Sequence, residues 1–182
     1  MAINILRNVP VWISGTTYKK YEMVTSNNFT YYSLTNHSGR VTSPESDPNF
    51  WGGRQIDPYG STLTESSSKE RPYFFFQPSY GISTAVEPKV QIIKFGDGYE
   101  QRVQDGINNS LLKLSISFNS RTSMETAAIL NFLKERFAVE SFLFTPPEPY
   151  AILRNFVCRS WNHTIVFFDN NDITTTFEQV PY

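Results

Sequence analysis

Cysteine is nearly absent: Cys158 stands alone, so no disulfide can form within the chain. With only two histidines, His37 and His163, few side chains remain for a zinc or iron site. No apolar run is long enough to cross a bilayer; the longest, such as Phe74-Phe-Phe76, spans a few residues. No excess of one charge exists either, with 16 Lys and Arg against 17 Asp and Glu. The electrostatic footprint of a nucleic-acid or anionic-membrane binder is therefore missing, and neither nucleic-acid binding nor membrane insertion is expected. The opening Met-Ala-Ile-Asn-Ile-Leu-Arg lacks the basic-then-apolar layout of a signal peptide, which suits a protein made in a reducing cytoplasm.

What the chain has in plenty is aromatic rings, 15% of its 182 residues, together with recurrent Thr and Ser. This favours β-structure. The densest concentration of backbone-specifying residues is Lys94-Phe-Gly-Asp-Gly-Tyr-Glu-Gln-Arg-Val-Gln-Asp-Gly-Ile-Asn-Asn109. Asp-Gly accepts the positive backbone angles of a tight turn, so Asp97-Gly98 predicts a hairpin between strands over Lys89–Phe95 and Tyr99–Val103.

Before this stretch, short strand candidates occur at Trp12–Tyr18, Tyr21–Val24 and Phe29–Leu34, separated by Ser-Gly, Ser-Asn-Asn and His-Ser-Gly turns. A unit this small must build its core from Trp12, Tyr18, Val24, Tyr31 and Trp51. Residues 54–72 are rich in Ser, Gly and Pro and read as a linker, with the domain boundary there. Beyond it, Tyr73–Gln77 is an aromatic strand candidate and residues 78–86 read as loop. Leu112, Leu114, Ile116 and Phe118 alternate with polar residues, the mark of a half-buried strand. Thr122-Ser-Met-Glu125 has capping-box spacing and starts a helix over Ser123–Ala138, with Ile129, Leu130, Leu133 and Phe137 on its apolar face. Further strands are expected at Ser141–Thr145, Ala151–Trp161, Thr164–Phe168 and Ile173–Val180, with turns near His163 and at Asp169–Asp172.

Asp97 with Asp105, or Asp169 with Asp172, could in principle bind calcium or act as catalytic carboxylates. Neither stretch carries a twelve-residue ligand ladder ending in Glu, and both are ordinary turn chemistry. Gly96-Asp-Gly98 lacks the Lys-Ser/Thr of a phosphate loop. His37 and His163 read as structural, and Cys158 as a buried, inert thiol in an apolar strand. No catalytic motif, metal set or cofactor site emerges, and an enzyme ranks lowest among the functional classes.

Two resemblances go further. Trp12, Tyr18, Val24, Tyr31, His37-Ser-Gly39 and Trp51, in that order, resemble the small chitin-binding-type carbohydrate-binding module (family 5/12) over about residues 10–53. Sugar-binding versions carry adjacent tryptophans after the second tyrosine; here Ser33-Leu-Thr-Asn-His37 occupies that place. The resemblance makes Trp12, Tyr32 and Trp51 the candidate sugar-stacking rings. It places residues 1–53 in a small β domain ahead of the linker.

Over residues 73–182 the chain resembles the minor tail protein M family of long-tailed, lambda-like phages. The matching blocks are Phe95-Gly-Asp-Gly-Tyr99, Gln101-Arg102, Gly106-Ile-Asn108, Phe132-Leu133, Ser141-Phe-Leu-Phe-Thr-Pro-Pro147, Cys158 with Trp161, and Phe177-Glu-Gln-Val180. That resemblance implies a mainly β, tail-tube- or distal-tail-like sandwich or barrel with one packed helix. It implies a non-enzymatic virion subunit that assembles in the host cytoplasm. There it joins a tail-tip ring of six copies, between the tail tube protein and the central hub. Candidate ring contacts are Phe95, Gly96, Asp97, Gly98, Tyr99, Gln101, Arg102, Gly106 and Asn108, with Pro146 and Pro147 in a proline-stiffened loop. An outlying module on such a ring could contact host glycan. The alternative is a carbohydrate-binding adhesion protein concerned mainly with receptor recognition.

Overall fold

A computed structural model describes residues 9–56, 70–108 and 110–181. The described residues are mainly β with one α-helix.

At the N-terminal end, β1 (Met23–Ser26), β2 (Phe29–Ser33) and β3 (Trp51–Gly52) form a small antiparallel sheet. Asn27 and Asn28, both at positive φ, make the turn between β1 and β2, a conformation Asn tolerates. The expected strand over Trp12–Tyr18 is not regular: that segment is held by isolated bridges, Val11 to Thr25 and Tyr18 to His37. Its stand-in for a ladder is the Tyr18 hydroxyl, which accepts from the Ile13 amide at 2.8 Å. The satellite core is Tyr18, Val24, Tyr31 and Trp51.

The segment expected as a linker is structured at both ends. β4 (Arg54–Ile56) pairs antiparallel with β5 (Glu70–Pro72), and the rest of it lies outside the described residues. The Tyr73–Gln77 segment is not a strand beyond one bridge to Leu143. Its packing reaches the centre of the molecule all the same, with Phe74 and Phe76 fully buried.

The principal sheet has five strands in the order β10-β11-β12-β9-β6. These are β6 (Ser83–Val86), β9 (Leu112–Arg121), β10 (Phe142–Phe144), β11 (Arg154–Phe167) and β12 (Asn170–Gln179); between β6 and β9 comes the pair β7 (Val90–Lys94) and β8 (Glu100–Gln104). β6 falls where a loop was expected, because Ser-Thr-Ala-Val has too little apolar contrast to show alternation. β9 alternates as predicted, with Leu112, Leu114, Ile116 and Phe118 all buried. β11 runs unbroken through His163, where a turn was expected; His163 sits in register with Ile173. Register shifts at Cys158/Ser160 and Ile165/Phe167 carry its curvature.

Helix α1 (Ser123–Glu135) covers the inner face. Thr122 caps it, accepting from the Glu125 amide at 3.3 Å, as the capping-box spacing predicted. Glu125 turns its side chain to Arg121 instead of completing the box. The helix stops three residues short of Ala138, since Phe137 and Ala138 both take positive φ. Phe137 is thereby thrown outward, 74% exposed, and leaves the apolar face on which it was expected. Phe132 fills the core instead, edge-on to Phe74 at 5.2 Å and to Phe142 at 5.5 Å.

The N-terminal sheet is joined to this core through Tyr32. Its ring is fully buried and belongs to the cluster of Phe74, Phe76 and Phe132. Gly52 and Gly53 permit the approach: a Cβ on Gly53 would stand 2.7 Å from the Tyr32 ring, and one on Gly52 3.1 Å from Phe75. These glycines serve packing, not flexibility.

Candidate assembly surface

β7 and β8 form a two-stranded antiparallel pair in which Val90 faces Gln104 and Lys94 faces Glu100. The turn is Gly96-Asp-Gly98, with φ of 64° at Asp97 and 81° at Gly98. Only glycine takes such angles freely, and Asp is among the few side chains that tolerate them. The Phe95 amide closes the loop by donating to the Tyr99 carbonyl at 2.8 Å. At the other end the Asp105 amide donates to the Lys89 carbonyl at 3.0 Å. The hairpin read from Asp-Gly is thus present.

Its surroundings are the notable feature. Every residue of β7 and β8 is exposed, and no third strand flanks the pair among the described residues. Val90, Ile92, Ile93, Phe95, Tyr99 and Val103 are all exposed apolar or aromatic side chains. The few charges are locally offset: Glu100 takes Arg102 in an ion pair. A lone two-stranded hairpin is marginal in water, so this arm has the character of an element completed by a partner.

The other expected contact residues divide. Gln101, Arg102, Gly106 and Asn108 are exposed on or just beyond the hairpin. Pro147 is exposed while Pro146 is buried, so the proline loop offers only part of itself to a neighbour.

The expected sugar-stacking rings do not come together. Tyr32 lies in the main core at no exposure and Trp51 in the satellite core at 3%. Trp51 is spent edge-on against Tyr18, at 5.1 Å, and His37, at 5.0 Å. A small module has no other bulk with which to fill its interior. Neither ring can offer a face to a sugar. Trp12 is half-buried at the rim of the satellite core.

The Asp169 and Asp172 carboxylates are likewise structural. Asp169 Oδ1 accepts from the Ser123 amide at 2.7 Å, at the first turn of α1, and Asp172 Oδ1 from the Ser120 amide at 2.7 Å. Among the described residues, no three His, Cys, Asp or Glu are grouped to hold a metal. Cys158 is buried with its Sγ 2.9 Å from Thr175 Oγ1, and burial pushes its thiol pKa up, away from the reactive thiolate. His163 Nε2 lies 3.1 Å from Asn171 Oδ1, in a strand position.

A second exposed surface escaped the sequence reading. The distal part of β11 is exposed from Arg159 onward, and Ile165, Val166, Phe167 and Phe168 form an uncovered apolar tip. The available signal was the lack of any charge or proline from Ser160 to Phe168.

A family model described as phage minor tail protein matches residues 72–181. The chain belongs to the phage minor tail protein family. The match takes in the hairpin, the whole five-stranded sheet and α1, and makes this chain a component of a phage virion tail that assembles with other tail proteins. Tail tip protein M of Escherichia phage lambda is 33% identical over 101 residues, 55% of this chain and 89% of that protein. Tail tip protein M of Escherichia phage N15 is 30% identical over 107 residues, 56% of this chain and 91% of that one. Among solved structures, a chain in the tail of an empty GTA particle, computed with helical refinement and C6 symmetry, aligns over 56% of this chain and 75% of its own length. Its identity is 12% and its TM-score 0.36. This tail protein has no described helix long and apolar enough to cross a membrane.

Proposed function

We propose that this minor tail protein is a non-enzymatic ring subunit of the tail tip, seated between the last ring of the tail tube and the central hub. The observation that carries the reading is the β7–β8 arm. The motif Phe95-Gly-Asp-Gly-Tyr99, on which the family resemblance rests, builds an arm whose two faces are both uncovered. Such an arm suits a subunit whose strands are ordered by neighbours. The tail-tip position is supported by the likeness to the lambda and N15 tail tip proteins. Six copies are proposed, as the family resemblance read in the sequence implies. Phe95 to Tyr99, Gln101, Arg102, Gly106, Asn108 and the exposed Pro147 are the proposed contacts, made head to tail so that the ring closes.

Residues 9–53 form, in this reading, a structural annex on the outside of the ring. Tyr32 in the main core and the bond from the Thr30 hydroxyl to Glu135 Oε1 at 2.6 Å support a fixed mounting. A second reading, in which this annex contacts host glycan, rests on the half-exposed Trp12 alone. A glycan array probed with the multimerised full chain tests it: a signal lost in Trp12→Ala supports glycan contact, and no signal leaves the spacer role. Cryo-microscopy of assembled tails tests the ring itself, and a particle holding single copies away from the tube–hub junction would refute it.

A further inference from the structure

We infer that the outer edge of β11, from Ser160 to Phe167, receives the β7–β8 arm of a second copy of this chain as added strands. The inference rests on the ring reading above and names the two surfaces that form its joint.

The first observation is an open edge. β11 is hydrogen-bonded to β12 along its length, but on its other side β10 covers only Arg154 to Phe156. The remainder of that side carries no strand among the described residues. Sheet edges exposed to water are ordinarily defended by charges, prolines or brevity. Here none of those defences is present: Ser160-Trp-Asn-His-Thr-Ile-Val-Phe-Phe168 holds no Lys, Arg, Asp, Glu or Pro. The strand is the longest in the fold, 14 residues.

The second observation is a matching donor on the same chain. β7 and β8 are five residues each, paired only with one another, and exposed on both faces. Their apolar residues Val90, Ile92, Ile93 and Val103 are exposed, as are Trp161, Ile165 and Val166 on β11. Lys94 stands opposite Glu100 across the arm, and the β11 segment is uncharged, so no like charges oppose the contact.

The third observation is placement. β11 and its short neighbour β10 lie at one side of the principal sheet, and β6 is the strand at the other. β6 leads through Glu87-Pro-Lys89 directly into β7. Donor and acceptor therefore sit at opposite sides of one sheet. A contact between them joins two different surfaces and can run head to tail, the arrangement that closes into rings. Strand addition satisfies the open backbone groups and buries the apolar side chains of both partners together.

The test places one cysteine in the arm, Gln101→Cys, and one on the open edge, Thr164→Cys, in the full-length chain. The natural Cys158 is buried. Assembled tails are treated with a short bismaleimide, whose reach tolerates a register offset of a residue or two. The double variant is expected to give a covalent ladder of this chain on a denaturing gel, and each single variant only monomer. A second variant, Ile165→Lys, places a charge on the open edge at a side chain that is 71% exposed. It is expected to keep the melting temperature of the parent chain while reducing ring incorporation at least tenfold. Intact rings of the double variant without self-crosslinks overturn the inference and leave the ring reading standing, as does capture of a different tail protein at Thr164→Cys. Tails with no ring of this chain overturn both.

Discussion

The Thr30 hydroxyl donates to Glu135 Oε1 at 2.6 Å, joining residues 105 positions apart. Asn131 Nδ2 donates to the same oxygen at 3.0 Å. Beside them the Tyr32 ring lies 6.2 Å from that of Phe132, and the Arg136 guanidinium stacks on the other aromatic partner, 3.5 Å from the Phe132 centroid. The N-terminal sheet thus grips the last turns of α1 through a polar rim around a buried ring.

Truncating that ring opens a cavity at the junction. Tyr32→Ala should lower unfolding free energy by about 3–5 kcal/mol, the cost of deleting a large aromatic from a core. Tyr32→Phe should change it by less than about 1 kcal/mol, because the buried hydroxyl, with the Asn131 side chain beside it, makes no hydrogen bond of good geometry among the described residues. Urea denaturation of both variants checks this. A costly Tyr32→Phe would show that the hydroxyl holds the junction.

Gly53 tests the same junction from the backbone side. Its φ is +107°, and an added Cβ would stand 2.7 Å from the Tyr32 ring. Gly53→Ala should therefore destabilise by more than about 1 kcal/mol, the usual penalty where φ is positive, while Gly15→Ala, whose Cβ would meet nothing, pays only the backbone strain. Thermal melts of the two variants, compared side by side, distinguish packing from strain; equal losses would remove the packing argument.

His37 makes the N-terminal sheet sensitive to acid. Both ring nitrogens are buried without a hydrogen-bond partner among the described residues, and the ring packs against Tyr18, Phe50 and Trp51. Burial pushes the imidazole pKa down, and the Arg40 charge pushes it further, against a smaller pull from Asp47. With a depressed folded-state pKa, stability is fully present above the unfolded value of about 6.5 and declines as pH falls through it. Denaturation midpoints between pH 7.5 and 5 should fall for the parent chain and fall less for His37→Phe. Parallel curves would exclude His37 as the source.

Asp169 ties the β11–β12 turn to the start of α1. It accepts from the Ser123 amide at 2.7 Å and stands near the positive end of the helix dipole. Asp169→Ala should cost about 1 kcal/mol by urea denaturation, in line with the loss of a helix cap. Asp169→Asn keeps an acceptor and tolerates the φ of 55°, and should cost less.

The hairpin, β9 and the helix start were legible because each is written locally: Asp97-Gly98 sets a turn, Leu112 to Phe118 alternates, and Thr122 caps. The unbroken β11 was not, since Asn162-His163 looks like turn chemistry and only pairing with β12 holds it extended. The role of Tyr32 was equally hidden. Whether an aromatic lines its own small core or another one 100 residues away depends on tertiary approach, here on Gly52 and Gly53. Tyr32 is withdrawn from sugar stacking for that reason, and Trp51 because the small core itself takes its ring. The exposed edge of β11 left only a negative trace, a stretch without charge.

The ring is the central claim, and one measurement addresses it directly. Cryo-microscopy of assembled tails, refined without imposed symmetry, should show this chain as a closed ring of six copies between tube and hub, with the β7–β8 arm of each copy against its neighbour. Single copies at that junction, or a ring whose arms extend free into solvent, would contradict it.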